Sequence, residues 1–164
     1  MRSGPVIIGY DGSPASERAL RDSADLLAPR PALVVVVWEA GQAFELTELP
    51  VRLLEVPPAP IDARTAVEVD RAMYEAAERT AQHGAQLAGE FGYKAEGLAV
   101  ADDVTVAATL IRVVREHDAA ALVVGAHGHS ALRELVLGST TREVLQSAEC
   151  PVVVVRDHGE HRAG

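Results

Sequence analysis

Positive charge is scarce in this chain. Its 164 residues hold 15 Lys and Arg against 24 Asp and Glu, a formal net charge of −9, and its only lysine is Lys94. Neutralisation of phosphates by basic side chains supplies most nucleic-acid affinity, so the balance argues against nucleic acid as a partner. It argues equally against attraction to anionic membrane surfaces. Cysteine is represented by Cys150 alone, which excludes an intramolecular disulfide. No apolar run approaches the roughly 20 residues that span a bilayer, and the opening MRSGPVIIGY lacks the apolar core of a signal peptide. A cytoplasmic protein is expected. Aromatic residues are only 4% of the chain, so Ala, Val, Leu and Ile must build the core.

Apolar residues make up 48% of the chain and charged residues 24%, the balance of a globular domain. The length suits one domain, expected over residues 1–156 with a polar tail over 157–164. Short β-branched runs alternate with longer amphipathic segments. The runs are Val6 to Tyr10, Leu33 to Trp38, Leu98 to Val100 with a start near Lys94, Ala121 to Val124, and Val152 to Val155. Their continuous apolar character suits strands covered on both faces, as in a parallel sheet. Helical spacing marks Pro14 to Leu27, Thr65 to Phe91, Thr105 to His117 and Thr140 to Ala148. This alternation predicts right-handed crossovers and a doubly wound α/β sheet. The stretch Glu39 to Arg64, with Pro50, Pro57, Pro58 and Pro60, has no sustained period and reads either as a lid over a ligand or as a surface insertion.

Ligands of open parallel sheets bind beyond the carboxyl ends of the strands, where the winding reverses. The loop after the fourth run is the informative one: Gly125-Ala126-His127-Gly128, nine residues, then Gly138-Ser139-Thr140-Thr141. Gly125, Gly128 and Gly138 can adopt positive φ and let a ligand approach the backbone closely. Either Ser139 or Thr140 is expected to cap the following helix, and Thr140 with Glu143 has capping-box spacing. Amides at that helix start, with hydroxyl donors from Ser139, Thr140 and Thr141, make a phosphate site without lysine. The segment lacks the Gly-Lys-Ser/Thr of a P-loop, and no dinucleotide fingerprint follows the first run, which continues as Asp11-Gly12-Ser13. Ser13 before Pro14 reads as a helix cap with proline in the first turn. His127 and His129 are open to a phosphate or ribose contact, and Asp103 is expected to cap the third helix.

The spacing Gly125-x2-Gly128-x9-Gly138-Ser139 resembles the signature of ATP-binding universal stress proteins. Val6-Ile7-Ile8-Gly9-Tyr10-Asp11-Gly12-Ser13, Leu122-Val123-Val124 and Cys150-Pro151-Val152-Val153-Val154-Val155 are similar to other parts of that family. The resemblance implies a single five-stranded parallel sheet in the order 3-2-1-4-5 with helices on both faces, of the adenine nucleotide alpha hydrolase-like kind. It implies ATP with Mg²⁺ as ligand. Asp11 would contact the nucleoside or hold the metal, with Gly12 and Ser13 beside it, and Val37 would meet adenine through its backbone. Gly125, His127 and Gly128 would border ribose and phosphates, and Gly138, Ser139, Thr140 and Thr141 would hold the phosphate chain. It also implies a homodimer joined through the edge strand 152–155. One departure stands out: Ala101-Asp102-Asp103 replaces a glycine turn, and two carboxylates there would repel phosphate unless a metal intervenes. The functional expectation is a nucleotide-dependent stress-response or signalling module. The alternative is a slow ATPase or a nucleotidyl-transfer enzyme of related fold, and no base or cation aimed at a γ-phosphate is evident.

Overall fold

A computed structural model describes residues 2–41, 63–127 and 137–156. The chain alternates strand and helix throughout: β1 (Val6–Gly9), α1 (Pro14–Leu27), β2 (Pro31–Trp38), α2 (Ala63–Glu90), β3 (Lys94–Ala101), α3 (Val106–Glu116), β4 (Ala121–Gly125), α4 (Ser139–Ser147) and β5 (Val152–Val155). The strands form one five-stranded sheet in the order β3-β2-β1-β4-β5, with every pairing parallel. The expected fold is the one observed.

The apolar runs divide by strand periodicity. Val6, Ile8, Val34, Val36 and Val123 face α1 and α2, where they meet Leu20, Ala77, Ala81 and Ala88. Ile7, Val35, Leu122 and Val124 face α3 and α4, where they meet Leu110, Val113, Val114 and Val144. β1, β2 and β4 are thus clothed on both sides, which is why their sequences lack polar alternation. Cys150 is buried in the second layer, as a small apolar residue would be.

The long helix α2 approaches the sheet through small residues. A side-chain carbon at Gly97 of β3 would stand 2.6 Å from the backbone carbon of Ala81. One at Gly84 of α2 would stand 2.7 Å from the ring of Tyr10. Contact this close is available only to glycine.

The topology decides where a ligand can enter. β1 pairs with β2 on one side and with β4 on the other, so the winding reverses between β1 and β4. The helices that follow them, α1 and α4, pack on opposite faces of the sheet, the arrangement in which a crevice opens at the carboxyl ends.

Two groups on the α1–α2 side and one beneath β5 set an alkaline limit on stability. Burial pushes the Tyr10 phenol above its ordinary value, and the Glu17 and Asp11 carboxylates push it further. Burial also raises Tyr93, partly offset by the 2.9 Å hydrogen bond its hydroxyl donates to Ser23. Burial raises the Cys150 thiol, with Arg2 acting the other way. In each case the unfolded chain loses its proton first, so stability present at neutral pH declines as pH rises. Urea midpoints should hold level through neutrality and fall above about pH 9, where cysteine and then tyrosine ionise in the unfolded chain. A midpoint still level at pH 10.5, roughly half a unit past the tyrosine reference, would refute this.

Candidate functional site

A cleft of about 270 Å³ opens at the β1/β4 reversal. One wall is apolar, formed by Val35 and Val37 of β2, Val106 and Leu110 of α3, and Val124 of β4. The opposite rim is polar: Asp11 and Ser16 come from the start of α1, and Gly125, His127, Gly138, Ser139, Thr140 and Thr141 come from β4 and α4. Gly9 forms part of the floor, where a side-chain carbon would meet Leu110 Cδ1 at 3.3 Å. Glycine there leaves room for the Leu110 side chain in the cleft lining.

Among the helices that follow the strands at this edge, the cap residues of α1, α3 and α4 are described, and their starts differ. α1 is closed by its own sequence: Ser13 is the cap, Pro14 opens the first turn, and the Ser16 amide donates to Ser13 Oγ at 3.2 Å. Asp11 Oδ1 accepts from the Ser13 amide at 2.9 Å, which fixes the turn through Gly12 at φ +76°. α3 is capped by Thr105, whose Oγ1 accepts from the Ala108 amide at 3.0 Å. α4 is capped by Gly138, which has no side chain to offer, and no side-chain cap bond is present. The first amides of a helix have no acceptor within the helix. Those of α1 and α3 are partly satisfied by hydroxyls. Those of α4 are presented at the rim of the cleft, at the positive end of the helix dipole.

Several expectations need correction. Gly138, and neither Ser139 nor Thr140, caps α4, because the helix begins at Ser139, one residue earlier than the period suggested. The expected capping box is therefore absent, and Glu143 Oε1 instead accepts from Thr105 Oγ1 at 2.9 Å. Among the described glycines, positive φ occurs at Gly12, Gly41 and Gly92, so neither Gly125 nor Gly138 has it. Gly138 has φ −59°, and a side-chain carbon there would meet only ordinary contacts. The absence of a side chain matters at Gly138 because it leaves the helix start bare. Asp103 does not cap α3, because its carboxylate is held by Arg112 Nε at 2.7 Å. Asp102 accepts from the Ala40 amide at 3.3 Å. Ala101, Asp102 and Asp103 are not among the described residues that line the cleft.

Of the residues picked from the sequence, the cleft brings together Asp11, Val37, Gly125, His127, Gly138, Ser139, Thr140 and Thr141. Gly12 and Ser13 stand behind it, shaping the turn and the start of α1. Thr141 lines the cleft but is 3% exposed, and its hydroxyl donates to the Gly125 carbonyl at 2.9 Å. Gly128 and His129 lie outside the described residues, as do 42–62 of the long proline-bearing stretch and the tail 157–164. Ser16, Val106 and Leu110 were not anticipated as lining. Val106 and Leu110 carried a signal read only as core, and Ser16 carried none beyond its place one turn into α1.

The lining chemistry fits a nucleotide: an apolar slot for a base, and a bare helix start with two hydroxyls for phosphate. Asp11 is the one carboxylate among the described lining residues, and with phosphate oxygens and waters it suits a magnesium ion.

Residues 3–156 match the profile of the Universal stress protein family. Universal stress protein YxiE of Bacillus subtilis is 26% identical over 151 residues, covering 92% of this chain and 97% of that protein. Universal stress protein Mb2028c of Mycobacterium bovis is 29% identical over 153 residues, covering 93% of this chain; the chain spans 45% of that protein's length. Among solved structures, hypothetical protein MJ0577 is similar with a TM-score of 0.74 at 17% identity, covering 97% of this chain and 99% of that one. A universal stress protein from Archaeoglobus fulgidus in complex with dAMP is similar with a TM-score of 0.61 at 19% identity, covering 95% and 100% of the two chains. A universal stress protein in complex with cAMP has a TM-score of 0.58 at 19% identity, covering 95% and 98%. The shared architecture is the adenine nucleotide alpha hydrolase-like fold. With the family profile spanning nearly all of the sequence and the sheet order in agreement, the chain belongs to the universal stress protein family.

Proposed function

We propose that this protein binds an adenine nucleotide, ATP with Mg²⁺, in the cleft at the β1/β4 reversal, and acts as a nucleotide-dependent stress-response or signalling module. The observation that carries the reading is the start of α4: of the three helices whose cap residues are described, it alone begins with a residue that cannot cap it. A bare helix start is an anion site, and here it faces an apolar slot of the right character for a purine. The similar structures in complex with dAMP and cAMP support an adenine nucleotide as the ligand class.

Adenine lies between Val37 and the Val106–Leu110 wall, with Asp11 at the nucleoside or the metal. Phosphates meet the amides of Ser139 and Thr140 and their hydroxyls. His127, half-buried in the lining, adds a contact near the ribose or phosphates. No lysine or arginine is among the described lining residues, so a divalent cation supplies the charge that side chains do not. β5 is the sheet edge on the β4 side, and two copies pair there as a homodimer, which sedimentation at micromolar concentration reads directly.

Mass spectrometry of small molecules released from denatured protein should find an adenine nucleotide, and Mg·ATP should raise the melting temperature of the emptied protein. Absence of both would refute the assignment. Turnover of radiolabelled ATP separates a binding module from a slow ATPase.

A further inference from the structure

The hydroxyl of Thr141 is spent inside the protein. Thr141 stands at the third position of α4 and is 3% exposed, and its Oγ1 donates to the Gly125 carbonyl across 16 residues of sequence at 2.9 Å. A buried hydroxyl is costly unless bonded, so this hydrogen bond is a specific demand of the position. A second bond runs parallel to it: the Gly138 amide donates to the Ala126 carbonyl at 2.9 Å. Ala126 is itself tied to the sheet, its amide donating to the Val155 carbonyl at 2.8 Å. The end of β4 is therefore fastened to β5 on one side and to the first turn of α4 on the other.

This arrangement changes the part Thr141 plays. With its single proton directed at Gly125, its hydroxyl is no donor for a phosphate. We propose that Thr141 is a positioning residue: its clasp on Gly125 sets how far the bare amides of α4 project into the cleft, and so sets affinity for the phosphate part of the ligand. The two bonds join the first and last portions of the glycine-rich segment directly, Gly125-Ala126 to Gly138 and Thr141. The phosphate cradle is thereby part of the rigid sheet edge. The inference rests on the nucleotide reading for its ligand but on the hydrogen bonds alone for its geometry.

The test compares the intact protein with Thr141→Val and Thr141→Ser. Valine matches the shape of threonine and removes the hydroxyl, whereas serine retains it. Titration calorimetry with adenosine, AMP and Mg·ATP reads the ligand side. Amide hydrogen exchange at Gly138 reads the clasp without any ligand. In Thr141→Val, AMP and Mg·ATP should bind about fivefold more weakly, the scale of one neutral hydrogen bond, while adenosine affinity changes little. Gly138 exchange should quicken by a similar factor, and Thr141→Ser should restore both. Equal loss for adenosine and AMP, unaltered exchange at Gly138, or failure of serine to rescue would each overturn the proposal. If the parent protein binds none of the three ligands, the nucleotide reading has failed, and the exchange rates still decide whether the clasp holds α4. Should Thr141→Val fold poorly, Thr141→Ala removes the same hydroxyl with less bulk: quickened exchange of its Gly138 amide supports the clasp, and parent-like exchange overturns it.

Discussion

Replacing Gly138 with aspartate should make the protein slightly more stable and nearly unable to hold a nucleotide. The two effects have one cause. Gly138 occupies the cap position of α4 with φ −59° and ψ 159°, which any residue adopts without strain. An added side-chain carbon would find the Ala126 carbonyl oxygen at 3.5 Å and His127 Cα at 3.9 Å, both ordinary contacts. The substitution is therefore accommodated by the backbone. The new carboxylate accepts from the bare amides of the first turn, and gains a few tenths of a kcal/mol over glycine as a cap. Those same amides are then closed to phosphate, and a fixed negative charge stands where the ligand's charge would be. Loss of affinity for Mg·ATP should reach about 100-fold, or roughly 2.7 kcal/mol. Calorimetric titration and a thermal melt measure the two signs in one preparation. An aspartate variant that binds Mg·ATP within about twofold of the parent would remove α4 from the binding site, since twofold is only some 0.4 kcal/mol. Gly138→Ala separates charge from bulk, and should lose much less affinity than aspartate.

The largest structural effect is expected at Gly97. Valine is favoured over glycine in strands by up to about 1 kcal/mol, so propensity alone would predict a gain. Geometry predicts the reverse. The first carbon of any side chain there would meet the Ala81 carbonyl carbon and oxygen at 2.6 Å and the Gln82 nitrogen at 2.8 Å. These are backbone atoms of α2, and no change of rotamer moves them. α2 must lift from the edge of the sheet, loosening the Ala77, Ala81 and Ala88 contacts that form much of one core layer. Gly97→Val should cost about 3 kcal/mol, the upper range for overpacking, and lower the melting temperature by roughly 10 °C. Gly89→Ala is the control. Nothing lies within 4 Å of a carbon added at Gly89, so the melting temperature should rise slightly as helix propensity improves. A Gly97→Val protein that melts with the parent would show that α2 is not seated against β3 as described.

Much of the fold was legible because its signals are local. Four strand-helix alternations stand in the residue pattern, and the observed elements differ from the sequence expectations mostly by one or two residues at their ends. The start of β3 near Lys94 was legible although its middle is weakly apolar. Ser13-Pro14 announced the start of α1 because a cap and its proline are adjacent in the chain. The other two caps were misread for a shared reason. Asp103 is a good cap by residue type, but Arg112, nine residues on, claims its carboxylate. Thr140 and Glu143 have the spacing of a capping box, but Thr105 of another helix claims the carboxylate, across 38 residues.

The amino-acid order by itself determined the layered α/β architecture, the apolar character of β1, β2, β4 and β5 and the place of a glycine-rich segment before the last helix. Those features depend on residues a few positions apart, and periodicity records them directly. Tertiary packing alone decided which side chains face the cleft and which hydroxyls remain for a ligand. Leu110 becomes a wall of the cleft only because Gly9 leaves room for it, and Thr141 becomes a clasp only because Gly125 lies opposite. A hydrogen bond between distant residues depends on where the sheet places them, and no local pattern carries that information.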